Sequence, residues 1–291
     1  MVARFGLDGL RAPAGAPLAR RGFVMTSLMT GLTLAARHAD AAPIHTDGAG
    51  LVAGEVQVPV ADGTLPAYAA RPAGAGPFPI VLVIEEIFGV HDYIKDVCRR
   101  LAKAGYLAVA PELYARLGDL SKMTDPHLIV RDVISRAPDA TILSDLDATA
   151  AWASGNGDGD PRHLAVTGFC RGGRDVWLYA AHNPSLKAAI AWYGPLGGET
   201  SAIQPHNAGE MAGKLKCPLL GLYGGADPST TPDQIRAAEA AARAAGRTVE
   251  IVVYPDTPHG FHADYRSSYR QGPAEDGWHR MLAWLHRNGV G

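Results

Sequence analysis

The chain has 291 residues, 47% of them hydrophobic and 19% charged, which supplies a large buried core and excludes a globally disordered chain. Its 27 Lys and Arg balance 29 Asp and Glu, a formal net charge of -2, so there is no basic field for a nucleic-acid backbone and no nucleic-acid partner is expected. The three cysteines, Cys98, Cys170 and Cys217, form no CxxC pair and no His-rich spacing, so a structural zinc site and a disulfide framework are both disfavoured and at least one thiol is left free.

Residues 1–42 read as a targeting segment. Arg20-Arg21-Gly22-Phe23 precedes a nearly uncharged run from Met25 to Ala36, too short to span a bilayer as a mature helix. Ala39-Asp40-Ala41 then offers a small-x-small cleavage pattern. This order predicts an export signal, and the paired arginines resemble a twin-arginine signal, which carries folded proteins across the bacterial inner membrane. The expected location is periplasmic or exported, with a cytoplasmic protein bearing an amphipathic leader as the alternative. No stable membrane anchor is expected.

Residues 43–291 read as one domain. Residues 54–60 and 65–71 alternate around an Asp62-Gly63 turn, which predicts an antiparallel hairpin. Residues 80–84, Ile-Val-Leu-Val-Ile, form a continuous β-branched run of the kind buried on both faces. A helix over 92–104 and a strand over 106–110 follow, then a helix over 139–153 and a strand over 163–167. Next come a helix over 171–182, a strand over 186–192, a strand over 218–223, a helix over 232–245, a strand over 248–254 and a closing helix over 274–287. Strands alternating with helices imply an α/β fold, a mostly parallel central sheet with helices on both faces. Residues 154–160 and 197–213 read as the loosest internal segments.

The strongest motif is Gly168-Phe169-Cys170-Arg171-Gly172-Gly173, placed between the strand ending near Thr167 and the helix starting near Arg171. It is the cysteine form of the G-x-S-x-G elbow, in which a nucleophile sits at a sharp strand-to-helix turn. Gly168 and Gly172 remove side chains that would collide across that turn, and the helix start favours negative charge on sulfur. Cys98, inside a helix, and Cys217, before Pro218 at a strand start, read as inert core thiols. Asp227 follows the strand 218–223 through a Gly-rich turn, and His259 follows the strand 248–254. The chain order Cys170, Asp227, His259 is that of nucleophile, acid and base in an α/β-hydrolase. His259 can shuttle a proton near neutrality and Asp227 can hold its tautomer. Asp256 and His262 are neighbours that mimic these two.

Two acids, Glu85 and Glu86, end the apolar run 80–84, where an unpaired carboxylate is costly. Together with the elbow, Tyr114-Ala115-Arg116, Asp227 and His259, they make the chain resemble the dienelactone hydrolase (carboxymethylenebutenolidase) family over roughly residues 50–288. The resemblance implies a carboxylic ester hydrolase acting on a small ester or lactone, with no cofactor and no metal. It implies that Cys170 attacks the carbonyl to form a thioester acyl-enzyme and that Glu86 holds the resting thiol and takes its proton when substrate arrives. It further implies that the backbone N–H groups of Ile87 and Arg171 form the oxyanion hole. Family members bind a substrate carboxylate with two arginines. Arg116 matches the first, whereas Ala263 stands where the second belongs, and whether Arg266, three residues on, replaces it is left open by the sequence. The side chains of Arg171 and Arg174 either reach the pocket or are solvated on their helix. A non-catalytic or binding member of the fold is the alternative reading. A thiol redox role is disfavoured because no resolving cysteine lies near Cys170 in the sequence.

Overall fold

A computed structural model describes residues 43–155 and 158–291, so the expected export segment, residues 1–42, lies outside the described residues. One eight-stranded sheet organises them. Its strands are β1 (Leu51–Val60), β2 (Gly63–Pro72), β3 (Phe78–Ile84), β4 (Leu107–Pro111), β5 (Gly159–Phe169), β6 (Leu186–Trp192), β7 (Leu219–Gly224) and β8 (Val249–Tyr254). The spatial order is β1-β2-β4-β3-β5-β6-β7-β8. The hairpin β1–β2 closes at Val60↔Gly63 and joins β4 antiparallel, while every pairing from β4 through β8 is parallel.

The helices are α1 (Asp92–Lys103), α2 (Pro126–Asp132), α3 (Asp139–Gly155), α4 (Arg171–His182), α5 (Pro232–Ala244) and α6 (Gln271–Arg287). Ile80 to Ile84 of β3 are fully buried, which their position between two neighbours and under helices requires. Helix α3 buries Ile142, Leu146, Thr149, Ala150 and Ala153, one stripe at helical spacing. The chain leaves β3 for β4 on one side and reaches β5 on the other. Right-handed crossovers therefore place α1 on one face and α3, α4 and α5 on the opposite one. The same reversal opens a crevice beyond the C-terminal ends of β3 and β5, where ligand sites of such sheets form. No helix among the described residues is long and apolar enough to cross a membrane.

Three local expectations differ from the structure. Strand β5 begins at Gly159 rather than 163, because Gly159 and Asp160 pair with Phe78 and Pro79 before a register irregularity at Pro79/Ile80. Helix α2 lies in a stretch with no predicted element; Asp125 caps it through the His127 N–H at 2.8 Å, with Pro126 in its first turn. Residues 208–214, read as loose, form a 3-10 helix whose entry is held by the Asn207 N–H donating to Glu210 Oε2 at 3.4 Å.

Candidate active site

Cys170 occupies the turn between β5 and α4 at φ 55, ψ -116, one of three non-glycine residues at positive φ among the described residues. Such a conformation costs a side-chain-bearing residue on the order of 1–3 kcal/mol and persists only where its surroundings enforce it. The surroundings here are backbone. A Cβ on Gly168 would lie 2.5 Å from the Gly172 carbonyl oxygen, and one on Gly172 would lie 2.5 Å from the carbonyl oxygens of both Ile84 and Glu85. The elbow is thus pressed against the end of β3, and only glycines allow that approach. Gly172→Ala is therefore expected to push the Glu85–Glu86 segment outward, lowering stability by about 1–3 kcal/mol and activity with it. Thermal unfolding and ester turnover measured side by side check this, and an unchanged Tm would show that the contact is not tight.

The structure brings Asp227, rather than Asp256, to His259. Asp227 Oδ2 lies 2.7 Å from His259 Nδ1, and its Oδ1 accepts the Ser229 N–H at 2.8 Å. Asp256 is exposed on the loop after β8. Asp227 and His259 are 5% and 2% exposed, so their pairing is shielded from water. Burial pushes Asp227 up, but the charge of His259 and the bonds from the ring and from Ser229 outweigh it and hold the carboxyl below its usual range. For His259, burial opposes the charged ring, yet the charges of Asp227 and then Cys170 prevail and raise its pKa well above the ordinary value. Nε2 of this ring has no partner with full hydrogen-bond geometry. Tyr193 packs edge-on against the ring with centroids 5.1 Å apart. His262 is a different kind of histidine. Tyr93 Oη lies 2.7 Å from its Nδ1, and burial followed by the charge of Arg100 pushes its pKa down to about 3, so it stays neutral.

The two strand-end acids are resolved in opposite ways. Glu85 turns one way: its Oε1 accepts the Leu113 N–H at 2.8 Å, and burial followed by the charge of Glu112 raises its pKa well above the carboxylate range. Glu86 turns the other way. Its Oε2 accepts Arg266 Nη2 and the Tyr265 hydroxyl, each at 2.9 Å, with the His91 ring 3.8 Å off. Burial opposes its charge, but Arg266, His91 and Tyr265 hold the pKa at about 2. Arg266 is fully buried and lies over the Phe88 and Tyr265 rings at 4.7 and 4.9 Å. Its Nη2 is given to Glu86 and the Tyr265 hydroxyl, while its buried Nε and Nη1 have no hydrogen-bond partner, so part of the guanidinium is left unengaged. Sequence reasoning missed Tyr265 and His91, the other members of this cluster.

A cavity of about 260 Å³ opens at the elbow. Cys170, Ile87, Arg171 and Arg174 line it, with Val130 and Ile134 on an apolar wall. Arg171 is the first residue of α4, so its backbone N–H has no intrahelical acceptor, and Ile87 borders the same space. Both arginines of the helix thus face the cavity rather than solvent. The expectation for Arg116 is corrected: it does not line this cavity. Its guanidinium is held by Asp145 at 2.7 Å and Asp62 at 2.7 Å, the first buried within α3 and the second in the β1–β2 turn. No group of three or more His, Cys, Asp or Glu able to hold a metal occurs among the described residues.

Comparisons with known proteins show the family. The model of the "Dienelactone hydrolase family" matches residues 65–289. A protein of Methylorubrum extorquens named "Putative carboxymethylenebutenolidase" is 54% identical over 287 residues, covering 98% of this chain and 99% of its own. An Escherichia coli K12 protein of the same name is 48% identical over 265 residues, covering 91% and 97%. A crystal structure titled as a putative dienelactone hydrolase from Klebsiella pneumoniae superposes with a TM-score of 0.79 at 52% identity, covering 81% of this chain and 99% of that one. The α/β-hydrolase fold is likewise shared with an esterase from Pyrobaculum calidifontis at a TM-score of 0.60.

Proposed function

The chain belongs to the dienelactone hydrolase family, and from that premise we propose that it hydrolyses a small ester or lactone of the dienelactone type with Cys170 as nucleophile. The observation that carries this reading is the Asp227–His259 pair, whose ring interacts with Cys170, with the sulfur at a cavity wall. His259 Nε2 takes the thiol proton, and its raised pKa lets it keep that proton while the sulfur is charged. The sulfur then bonds to the substrate carbonyl carbon. Negative charge passes to the carbonyl oxygen, which the Ile87 and Arg171 N–H groups receive. Collapse breaks the ester C–O bond, His259 protonates the leaving oxygen, and a thioester remains on Cys170. Water, losing a proton to His259, cleaves that thioester and frees the carboxylic acid.

The expected role of Glu86 as acceptor of the thiol proton requires its bond to Arg266 to open when substrate arrives. In the resting arrangement Arg266, His91 and Tyr265 hold the pKa of its carboxylate at about 2, and Glu86 anchors Nη2 of Arg266. The test is hydrolysis of cis- and trans-dienelactone beside short p-nitrophenyl esters, with mass spectrometry of the quenched enzyme. The expected result is turnover with an acyl mass on Cys170, and a loss of kcat of about 10⁴-fold in Asp227→Asn, as tautomer control predicts. Turnover by a protein that never carries acyl mass on Cys170, with Asp227→Asn unimpaired, would overturn the reading.

A further inference from the structure

The cavity holds two arginines that are anchored very differently. Arg174 donates from Nη1 to Asp139 at 2.6 Å and Asp175 at 2.9 Å, and from Nη2 to Asp139 at 2.9 Å and the His206 carbonyl at 2.8 Å. Arg171 makes only long contacts. Its Nε lies 3.4 Å from Asp175, its Nη1 3.3 Å from Gln204 Oε1, and its Nη2 3.6 Å from Asp139 with no hydrogen-bond partner. Charge-assisted bonds from guanidinium to carboxylate normally close to about 2.7–2.9 Å. The two aspartates do not depend on Arg171, because Asp139 takes a short fork from Arg174, and Asp175 receives Arg174 and the Tyr114 hydroxyl. Arg171 is therefore a loosely held cation in the wall of the cavity, directly after Cys170 in the chain.

Of the other arginines expected to read a substrate anion, Arg116 is held by Asp62 and Asp145, and Arg266, which gives only its Nη2 to Glu86, does not line this cavity. Glu199 also lines the cavity, but it is exposed, where water and salt screen its charge. On the reading that Cys170 is the nucleophile, we propose that the side chain of Arg171 selects substrates whose acyl part carries a carboxylate. Such a substrate lays its apolar part on Ile87, Val130 and Ile134. Its carboxylate replaces the long contacts of Arg171 with short bidentate ones. The backbone N–H of the same residue faces the carbonyl oxygen, so one residue reads two ends of the acyl group.

The test compares two esters matched in length, mono-p-nitrophenyl glutarate, which carries the carboxylate, and p-nitrophenyl valerate, which does not. Reading their kcat/KM ratio within each variant cancels any loss of folded enzyme. Arg171→Met is expected to lower the glutarate-to-valerate ratio by about 10- to 100-fold, the span of a lost charge-assisted bond, mainly through KM. Arg171→Lys, which keeps the charge without the fork, is expected to fall between. A ratio unchanged in both variants overturns the role of Arg171 and leaves Cys170 as nucleophile standing. Turnover of both esters surviving Cys170→Ala overturns the nucleophile and this inference with it.

Discussion

Cys170→Ala is expected to abolish ester turnover, a loss of at least about 10⁴-fold in kcat with residual activity from the cavity and oxyanion donors alone. The other two thiols cannot take over. Cys98 is fully buried inside α1 and burial drives its pKa far up; Cys217 is pushed up to about 12 by burial alone. Neither borders the cavity with Ile87 and Arg171. Iodoacetamide on the native protein is thus expected to label one thiol, Cys170, with activity falling in step with the label. Complete labelling of Cys170 with full activity would remove it from the mechanism. Cys170→Ser tests a narrower point. The hydroxyl is a far weaker acid, so proton transfer to His259 becomes uphill, and partial retention of turnover would mean that His259 and Asp227 can activate an oxygen as well.

The largest effect on stability is expected at Arg266. Its guanidinium and Glu86 are both fully buried, 2.9 Å apart and 180 residues apart in the chain. Arg266→Met leaves Glu86 as an uncompensated buried charge, a cost of about 3–5 kcal/mol and on the order of 10 °C in Tm for a domain of this size. The pH dependence separates charge from lost packing. In the native protein the pair holds Glu86 at about 2, so its contribution is complete above the unfolded glutamate value of about 4.3 and is lost as pH falls through about 2. In Arg266→Met, burial raises Glu86 instead, and that penalty is relieved as acid protonates it. The deficit relative to native protein is therefore expected to be greatest near neutral pH and to shrink by pH 5. Glu86→Gln combined with Arg266→Met is expected to recover much of the loss. A deficit independent of pH and unmoved by Glu86→Gln would assign the whole effect to packing.

The sequence carried most of the scaffold because its signals are local. The run Ile80 to Ile84 can be little else than a central strand, and the glycines around Cys170 mark a tight turn, although the closeness of Gly173 to the end of β6 appears only in the fold. The pairing of Asp227 with His259 was also legible, since each follows its own strand. Helix α2 was not, because seven residues give too little periodicity. The 3-10 helix at 208–214 was hidden by its Gly and Ala content, although Asn207 and Glu210 at capping-box spacing were a usable signal. Arg116 shows the limit at the site itself. The Tyr-Ala-Arg motif fixed where it sits in the chain, but its partners Asp62 and Asp145 arrive from a distant turn and a later helix. The same holds for Glu86, whose partner Arg266 lies beyond β8. A strand-end acid announces that it needs a cation, and only the folded chain says which.

The backbone of Cys170 bears on how such a scaffold would drift under relaxed selection. A thiol side chain is kept at φ 55, ψ -116, a region in which glycine sits without strain. At this one position, losing the chemistry and relaxing the fold lie in the same direction of sequence space. An inactive lineage has a single-step route to a calmer structure. A screen that selects for heat resistance without assaying turnover would gather dead enzymes there, whereas any lineage holding a nucleophile at the elbow does so against a standing thermodynamic pull.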